Sequence, residues 1–223
     1  MVDLILPAAG LATRMRGLPK FLLPIDNKYT TLIENHINNA TKNKEIKNIW
    51  IPTRPDLKPI LESLDLNSVN IITMTTSSMS ETVLNTCSIA NSKNYMLIMP
   101  DTYFDGEQPT ELLEVSPQFC DLAIWKIRKQ QRGKLGEVEL DKNNFVKTII
   151  DKNPDTNFEY SWGSLTFSKE FVKYINARDP HVGYAIEQSL SNKKKITTKL
   201  IEGNYYDCGT PDEYIELLKK ILL

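Results

Sequence analysis

Leu6-Pro7-Ala8-Ala9-Gly10-Leu11-Ala12-Thr13-Arg14-Met15-Arg16-Gly17-Leu18-Pro19-Lys20 overlaps the end of the first apolar run of the chain, Val2–Pro7, and leads out of it. A short apolar run followed by small residues reads as a strand that runs into a loop. Ala8, Ala9, Gly10 and Ala12 are small enough for backbone N–H groups to approach a ligand closely, as cradling phosphate oxygens requires. Arg14 and Lys20 put a planar guanidinium and a mobile ammonium on the same loop, a pair suited to a polyanion such as a triphosphate. The string is neither a Walker loop nor Gly-x-Gly-x-x-Gly, and taken alone it is equally a tight turn with solvated cations. Its position is more telling, because open α/β sheets bind ligands where strands end and helices begin.

Working outward, the strand patterns Ile46–Pro52, Val69–Met74 and Tyr95–Met99 alternate with the helical patterns Leu32–Ala40, Leu57–Leu64 and Glu81–Ala90. After about residue 118 the texture becomes strand-rich, with Cys120–Ile127, Gly136–Leu140, Phe145–Ile150 and Tyr160–Phe167 read as antiparallel additions. Helices over Lys169–Ile175 and Tyr184–Leu190 follow, then a strand at Ile196–Ile201 and a closing helix from Pro211 with Thr210 as N-cap. This order predicts a Rossmann-like three-layer α/β/α fold: a mostly parallel, mixed central sheet with a strand-rich insertion in the second half. No linker or repeat divides the chain, so 1–223 reads as a single domain with halves 1–117 and 118–223.

Composition narrows the function classes. With 27 Lys+Arg against 28 Asp+Glu the net charge is -1, which argues against an obligate nucleic-acid binder. No apolar run approaches the roughly 20 residues that span a bilayer. Asp3 interrupts the first apolar stretch where a signal peptide would have a basic flank. Cys87, Cys120 and Cys208 are too few and too far apart for a disulfide framework or a zinc site. The chain therefore reads as cytoplasmic, with no membrane and no nucleic-acid partner. His36 and His181 have no acid or nucleophile spaced for general-base work and read as structural.

The opening loop resembles the signature Leu-Ala-Ala-Gly-x-Gly-Thr-Arg-Met followed by Pro-Lys of the sugar-phosphate nucleotidyltransferases, the nucleotide-sugar pyrophosphorylases of glucose-1-phosphate thymidylyltransferase type. Ala12 stands where that family has its second glycine, a replacement compatible with the loop if the backbone keeps a negative φ. Further family-like strings occur in order. Tyr95-Met96-Leu97-Ile98-Met99-Pro100-Asp101 is a buried-looking strand ending in an aspartate, and Tyr206-Asp207-Cys208-Gly209-Thr210-Pro211 resembles Trp-x-Asp-x-Gly-Thr-Pro. Between them, Gly136-Glu137-Val138 and Ile150-Asp151-Lys152-Asn153-Pro154 resemble a hairpin running into Glu-Lys-Pro, with Asp for Glu and one Asn inserted.

The resemblance covers nearly the whole chain and implies Mg²⁺-dependent transfer of a nucleoside monophosphate from an NTP to a sugar phosphate, with release of pyrophosphate. It makes 1–117 the nucleotide-binding half and 118–223 the acceptor-binding half. Ala8, Ala9, Gly10, Leu11 and Thr13 would bind the nucleotide, with Arg14 on the departing pyrophosphate and Lys20 near the α-phosphate. Asp101 and Asp207 would hold Mg²⁺, which on a nucleotide takes one or two carboxylates plus phosphate oxygens and water. Gly136 and Gly163 would approach the acceptor, and Lys152 would hold its phosphate. The Ser/Thr-rich segment 75–82 occupies the base-reading position, with Ser78 and Ser80 as candidates for a pyrimidine edge and Ser80 as helix cap. UTP, TTP and CTP remain equivalent on these residues. Two other readings stand beside this one. A phosphocholine-type acceptor would want an aromatic cage, for which Trp125, Trp162, Tyr160 and Tyr184 are available. A non-catalytic nucleotide-sugar sensor would have no physical reason to keep two carboxylates facing an anionic ligand.

Overall fold

The computed structural model describes every residue except Asp65, Asn67, Glu114 and Leu223, and every side chain of the others except those of Arg14 and Leu112. The first half contains β1 (Val2–Ile5), α1 (Leu32–Ala40), β2 (Ile46–Thr53), α2 (Lys58–Glu62), β3 (Val69–Thr73), α3 (Met79–Ala90), β4 (Asn94–Ile98), β5 (Thr102–Gly106) and α4 (Pro109–Leu112). The second contains β6 (Cys120–Lys126), β7 (Gly136–Leu140), β8 (Val146–Asp151), β9 (Tyr160–Ser168), α5 (Lys169–Val172) and α6 (Gly183–Ser191). It closes with β10 (Thr197–Leu200), β11 (Gly203–Asp207) and α7 (Pro211–Leu222).

Every side chain of β1 is buried, as a central strand covered on both faces requires. The main sheet runs β10-β6-β9-β4-β1-β2-β3. Strand β1 is parallel to β2 and β4, and β2 to β3. The second half joins through β9, antiparallel to both β4 and β6, while β10 lies parallel to β6. The hairpin β7-β8 hangs from β9. The predicted mixed, mostly parallel sheet is thus present, with β9 as the antiparallel strand inserted into it.

Alternation along the strands sorts side chains into two cores. Leu4, Met96 and Ile98 face one side with Ile33 and Ile37 of α1 and Leu61 of α2. Ile5, Tyr95 and Leu97 face the other with Val83 of α3, Phe171 of α5 and Ile186 of α6. Helix α7 buries Leu217 against Leu23, Leu32 and Cys208. No described helix is long and apolar enough to cross a membrane.

Helix starts follow local chemistry. Thr31 and Glu34 form a reciprocal capping box on α1, Glu34 N–H donating to Thr31 Oγ1 at 3.3 Å and Thr31 N–H to Glu34 Oε2 at 2.7 Å. Helix α3 begins two residues earlier than its sequence pattern predicts, because Ser78, not Ser80, is the cap: its Oγ accepts from Glu81 N–H at 3.0 Å. Ser80 consequently lies buried inside the first turn. The other departure is the ribbon β5-β11, antiparallel from Thr102↔Asp207 to Gly106↔Gly203. Its two short strands are about a hundred residues apart, so neither carries a local signal of the other.

Candidate active site

The loop after β1 is shaped by what its carbonyls bond. Thr53 Oγ1 donates to Ala8 O at 3.2 Å and Arg54 Nη1 to Gly10 O at 2.6 Å. The N–H groups of Met15 and Gly17 both donate to Ala12 O, at 2.9 and 3.0 Å. This last pair draws Ala12 into the left-handed region, φ 51° and ψ 37°, which corrects the expected negative φ. With the carbonyls occupied, the backbone N–H groups of Ala9, Gly10, Leu11, Ala12 and Thr13 donate to no protein acceptor among the described residues. Consecutive N–H groups of this kind suit an anion.

Lys20 opens a 3-10 turn after Pro19 and places Nζ 3.0 Å from Asp101 Oδ2. Asp101 follows β4, and its backbone C=O accepts from Cys208 N–H at 3.0 Å. Because Thr102 pairs with Asp207 across β5-β11, the ribbon sets the second aspartate beside the first. Asp207 Oδ1 accepts from Gly209 N–H at 2.9 Å. A β-carbon on Gly209 would stand 2.7 Å from Asp207 Oδ1 and 3.3 Å from Lys20 Nζ, so ammonium and carboxylates meet around that glycine. Two carboxylates at facing ends of one ribbon, the first paired with the Lys20 ammonium, are oxygen donors of the kind a Mg²⁺ arriving on phosphate oxygens takes. Among the described residues no group of three or more His, Cys, Asp and Glu forms a cage that would hold a metal without the nucleotide.

Two cavities meet at Lys20, Met99 and Asp101. The smaller, about 150 Å³, is bounded by Ala8, Gly10 and Ala12 of the loop. The larger, about 410 Å³, is bounded by Trp162, Tyr205, Asp151, Lys152, His181 and Asp207. Its walls depend on two glycines, since a β-carbon on Gly136 would collide with the Trp162 indole nitrogen and one on Gly163 with the Tyr205 ring. At the far wall His181 Nδ1 accepts from Gly183 N–H at 3.2 Å, which puts the imidazole proton on Nε2, 3.2 Å from Asp151 Oδ2. That hydrogen bond holds the Asp151 carboxyl below its usual range, helped by the charge of Lys152. Lys152 itself takes φ 49°, and its Nζ lies 3.8 Å from Asp151 Oδ2 with the side chain half exposed.

Comparison with solved structures now bears on this arrangement. A UDP-glucose pyrophosphorylase complexed with UDP-glucose superposes with TM-score 0.76 at 17% identity, over 99% of this chain and 98% of that one. The inositol-1-phosphate CTP transferase from T. maritima gives TM-score 0.81 at 14% identity, over 99% and 96%. A UTP-bound UGPase from Acinetobacter baumannii gives 0.72 at 16%, over 99% and 93%. The fold is that of the sugar-phosphate nucleotidyltransferases. No protein-family model matches the sequence, and no curated protein matches it significantly.

Within this nucleotidyltransferase fold, the structure brings together Ala8, Gly10, Lys20, Asp101, Asp207, Gly136, Lys152 and Gly163 on the two joined cavities. Leu11 and Thr13 belong to the same loop but expose their side chains. The Arg14 side chain lies outside the described residues. Ser78 and Ser80 line neither cavity; other hydroxyls of their segment already have protein partners, while the buried Ser80 Oγ has none among the described residues. Ser78 Oγ donates to Ala177 O at 2.7 Å, Ser77 Oγ to Glu81 Oε2 at 2.8 Å, and Thr76 Oγ1 lies 2.6 Å from Thr82 Oγ1. Of the four rings considered for a cage, Trp162 lines the large cavity. Trp125 is buried in the core, stacked 5.1 Å from Phe104. Among the residues of the larger cavity, Tyr205 receives no role from sequence, Asp151 only that of the acidic residue before Lys152, and His181 a structural one. Asp151 had a signal in its adjacency to Lys152, whereas His181 reaches it only through folding.

Proposed function

We propose that this protein is a cytoplasmic nucleotidyltransferase that moves a nucleoside monophosphate from a pyrimidine NTP to a sugar phosphate, giving an NDP-sugar and pyrophosphate. The observation that carries this reading is the Lys20–Asp101 contact at the junction of an amide-lined cavity and a wider, aromatic-walled one. The triphosphate would lie on the N–H groups of residues 9–13, and the acceptor in the larger cavity. The ring faces of Trp162 and Tyr205 suit the C–H face of a sugar ring, and Asp151 suits its hydroxyls. Buried, free Cys87, Cys120 and Cys208 agree with a reducing compartment. The pyrimidine preference rests on the family resemblance of segment 75–82.

An oxygen of the acceptor phosphate attacks the α-phosphorus in line. A new P–O bond forms, the α–β bridging P–O bond breaks, and pyrophosphate leaves with its electron pair. The acceptor phosphate is already ionised near neutral pH, so no strong base is needed and catalysis rests on positioning and charge neutralisation. Lys152 would draw the acceptor phosphate toward the nucleotide against their mutual repulsion. Lys20 would turn from Asp101 to the α-phosphate as negative charge grows there, and Arg14 would receive the pyrophosphate. Asp101 and Asp207 are the residues that would hold Mg²⁺, whose chemistry is to neutralise phosphate oxygens.

Pyrophosphate release measured with Mg²⁺ across UTP, TTP, CTP, ATP and GTP against several sugar 1-phosphates and phosphocholine tests the proposal. Release with one NTP and one sugar phosphate, abolished by EDTA, is expected. Release with phosphocholine alone would replace the acceptor class, and NTP binding without turnover on any acceptor would favour the sensor reading.

A further inference from the structure

The nucleotide loop is held from outside by a side chain that lines neither cavity. Arg54 follows β2, and its guanidinium makes three directed hydrogen bonds. Nε and Nη2 fork onto Asp56 Oδ1 and Oδ2 at 3.0 and 2.9 Å, and Nη1 donates to the Gly10 carbonyl at 2.6 Å. The fork keeps both partners charged: hydrogen bonding with Asp56 raises the affinity of Arg54 for its proton, and Arg54 lowers that of Asp56. A planar guanidinium fixed on two sides has little freedom left on the third.

That third bond governs more than one atom. In a planar trans peptide the C=O and the following N–H point in opposite directions. Whatever pulls the Gly10 carbonyl outward therefore turns the Leu11 N–H inward. Thr53 does the same for Ala9 through the Ala8 carbonyl, and Met15 with Gly17 for Thr13 through the Ala12 carbonyl. Three alternate carbonyls are thus tied back and three alternate N–H groups aimed together, and Arg54 makes the middle tie.

The geometry points to Arg54, seated by Asp56, as a positioning residue for the nucleotide: it orients the Gly10–Leu11 peptide so that its N–H meets a phosphate oxygen that Arg54 itself does not touch. This rests on the proposed reading of the loop as the NTP site.

The test compares Arg54→Ala, Arg54→Lys and Asp56→Ala, using calorimetric NTP affinity and steady-state kinetics with the NTP that wild type accepts. Loss of one charge-assisted hydrogen bond corresponds to about tenfold. Arg54→Ala is expected to weaken NTP binding by about that factor, with acceptor KM and kcat at saturation changed less than about threefold, and Arg54→Lys to recover part of it. Asp56→Ala discriminates by sign. Removing a negative charge near a polyanion would tighten binding by Coulomb attraction alone, whereas loss of the seat for Arg54 weakens it. Binding by Asp56→Ala as tight as wild type or tighter overturns the inference, as does an equal loss for nucleotide and acceptor in Arg54→Ala. The Leu11 amide ¹H–¹⁵N resonance of the ligand-free protein is expected to shift in both alanine variants. An unmoved resonance overturns the positioning role even where wild type shows no turnover, which keeps failure of this inference separate from failure of the proposed activity.

Discussion

The proposed function gives the single residues Asp101, Lys20 and Lys152 separable jobs. Asp101→Asn removes a carboxylate whose partner is an ammonium 3.0 Å away at the junction of the cavities. It should lower kcat by about a hundredfold or more, the range typical of losing one group that stabilises transition-state charge. Turnover at the wild-type rate would remove Asp101 from the metal role. Lys152→Ala should instead raise acceptor KM with nucleotide KM little altered, read in the same steady-state experiment. His36 bears out its structural reading. It is buried beside Phe104 with Nε2 2.8 Å from the Thr102 carbonyl, and burial lowers its pKa to about 4. The unfolded chain protonates His36 near pH 6.5 while the folded protein does not. Below pH 6.5 the unfolded state therefore binds the extra proton, and stability falls as pH drops from 6.5 toward 4 and levels off below. The full effect is about 3 kcal/mol. Urea titrations of wild type and His36→Gln between pH 4 and 7 should converge as pH falls, and parallel curves would contradict the assignment.

Elements come next, and here the ribbon β5-β11 decides the site. It sets Asp207 beside Asp101 and turns the Tyr205 ring toward Gly163. Tyr205 cannot retreat, since its ring is packed 5.2 Å from Trp125 and 6.0 Å from Phe104. Gly163→Ala should therefore displace the cavity wall, with a destabilisation of about 1–3 kcal/mol as for other overpacked sites. Acceptor KM should rise while calorimetric NTP affinity stays near wild type. An unchanged acceptor KM would show that Tyr205 is no part of the acceptor wall. At both glycines expected to approach the acceptor, the space a side chain would take is filled by an aromatic ring, Trp162 at Gly136 and Tyr205 at Gly163, and each ring comes from a strand or a ribbon with no local signal in the sequence.

For the whole molecule, β9 is the strand that joins the halves, bonding to β4 on one edge and β6 on the other. A chain ending at residue 117 would leave β4 with an open edge and would strip Tyr95 and Leu97 of Phe171 from α5 and Ile186 from α6. We expect residues 1–117 alone to lack a cooperative transition and the full chain to unfold in a single one by calorimetry; two resolved transitions would divide it at that border. The residues that line the two joined cavities were largely legible because they fall in contiguous strings: the loop 6–20, the strand ending in Asp101, the Asp151-Lys152 pair and the turn after Asp207. Periodicity likewise disclosed the layers, since burial on one face of a helix or both faces of a strand is written into local spacing. What a linear string does not contain is which distant backbone comes alongside. The Ser78 bond to Ala177, the Arg54 tie to Gly10, the His181–Asp151 pair and the β5-β11 ribbon all arise from hydrogen bonds or packing between residues whose proximity exists only once the chain has folded. Strand and helix patterns, and the class of chemistry they suggest, depend on residue type and spacing and are therefore readable along the chain. The tertiary structure decided how each group is aimed, because direction depends on neighbours that chain connectivity does not specify.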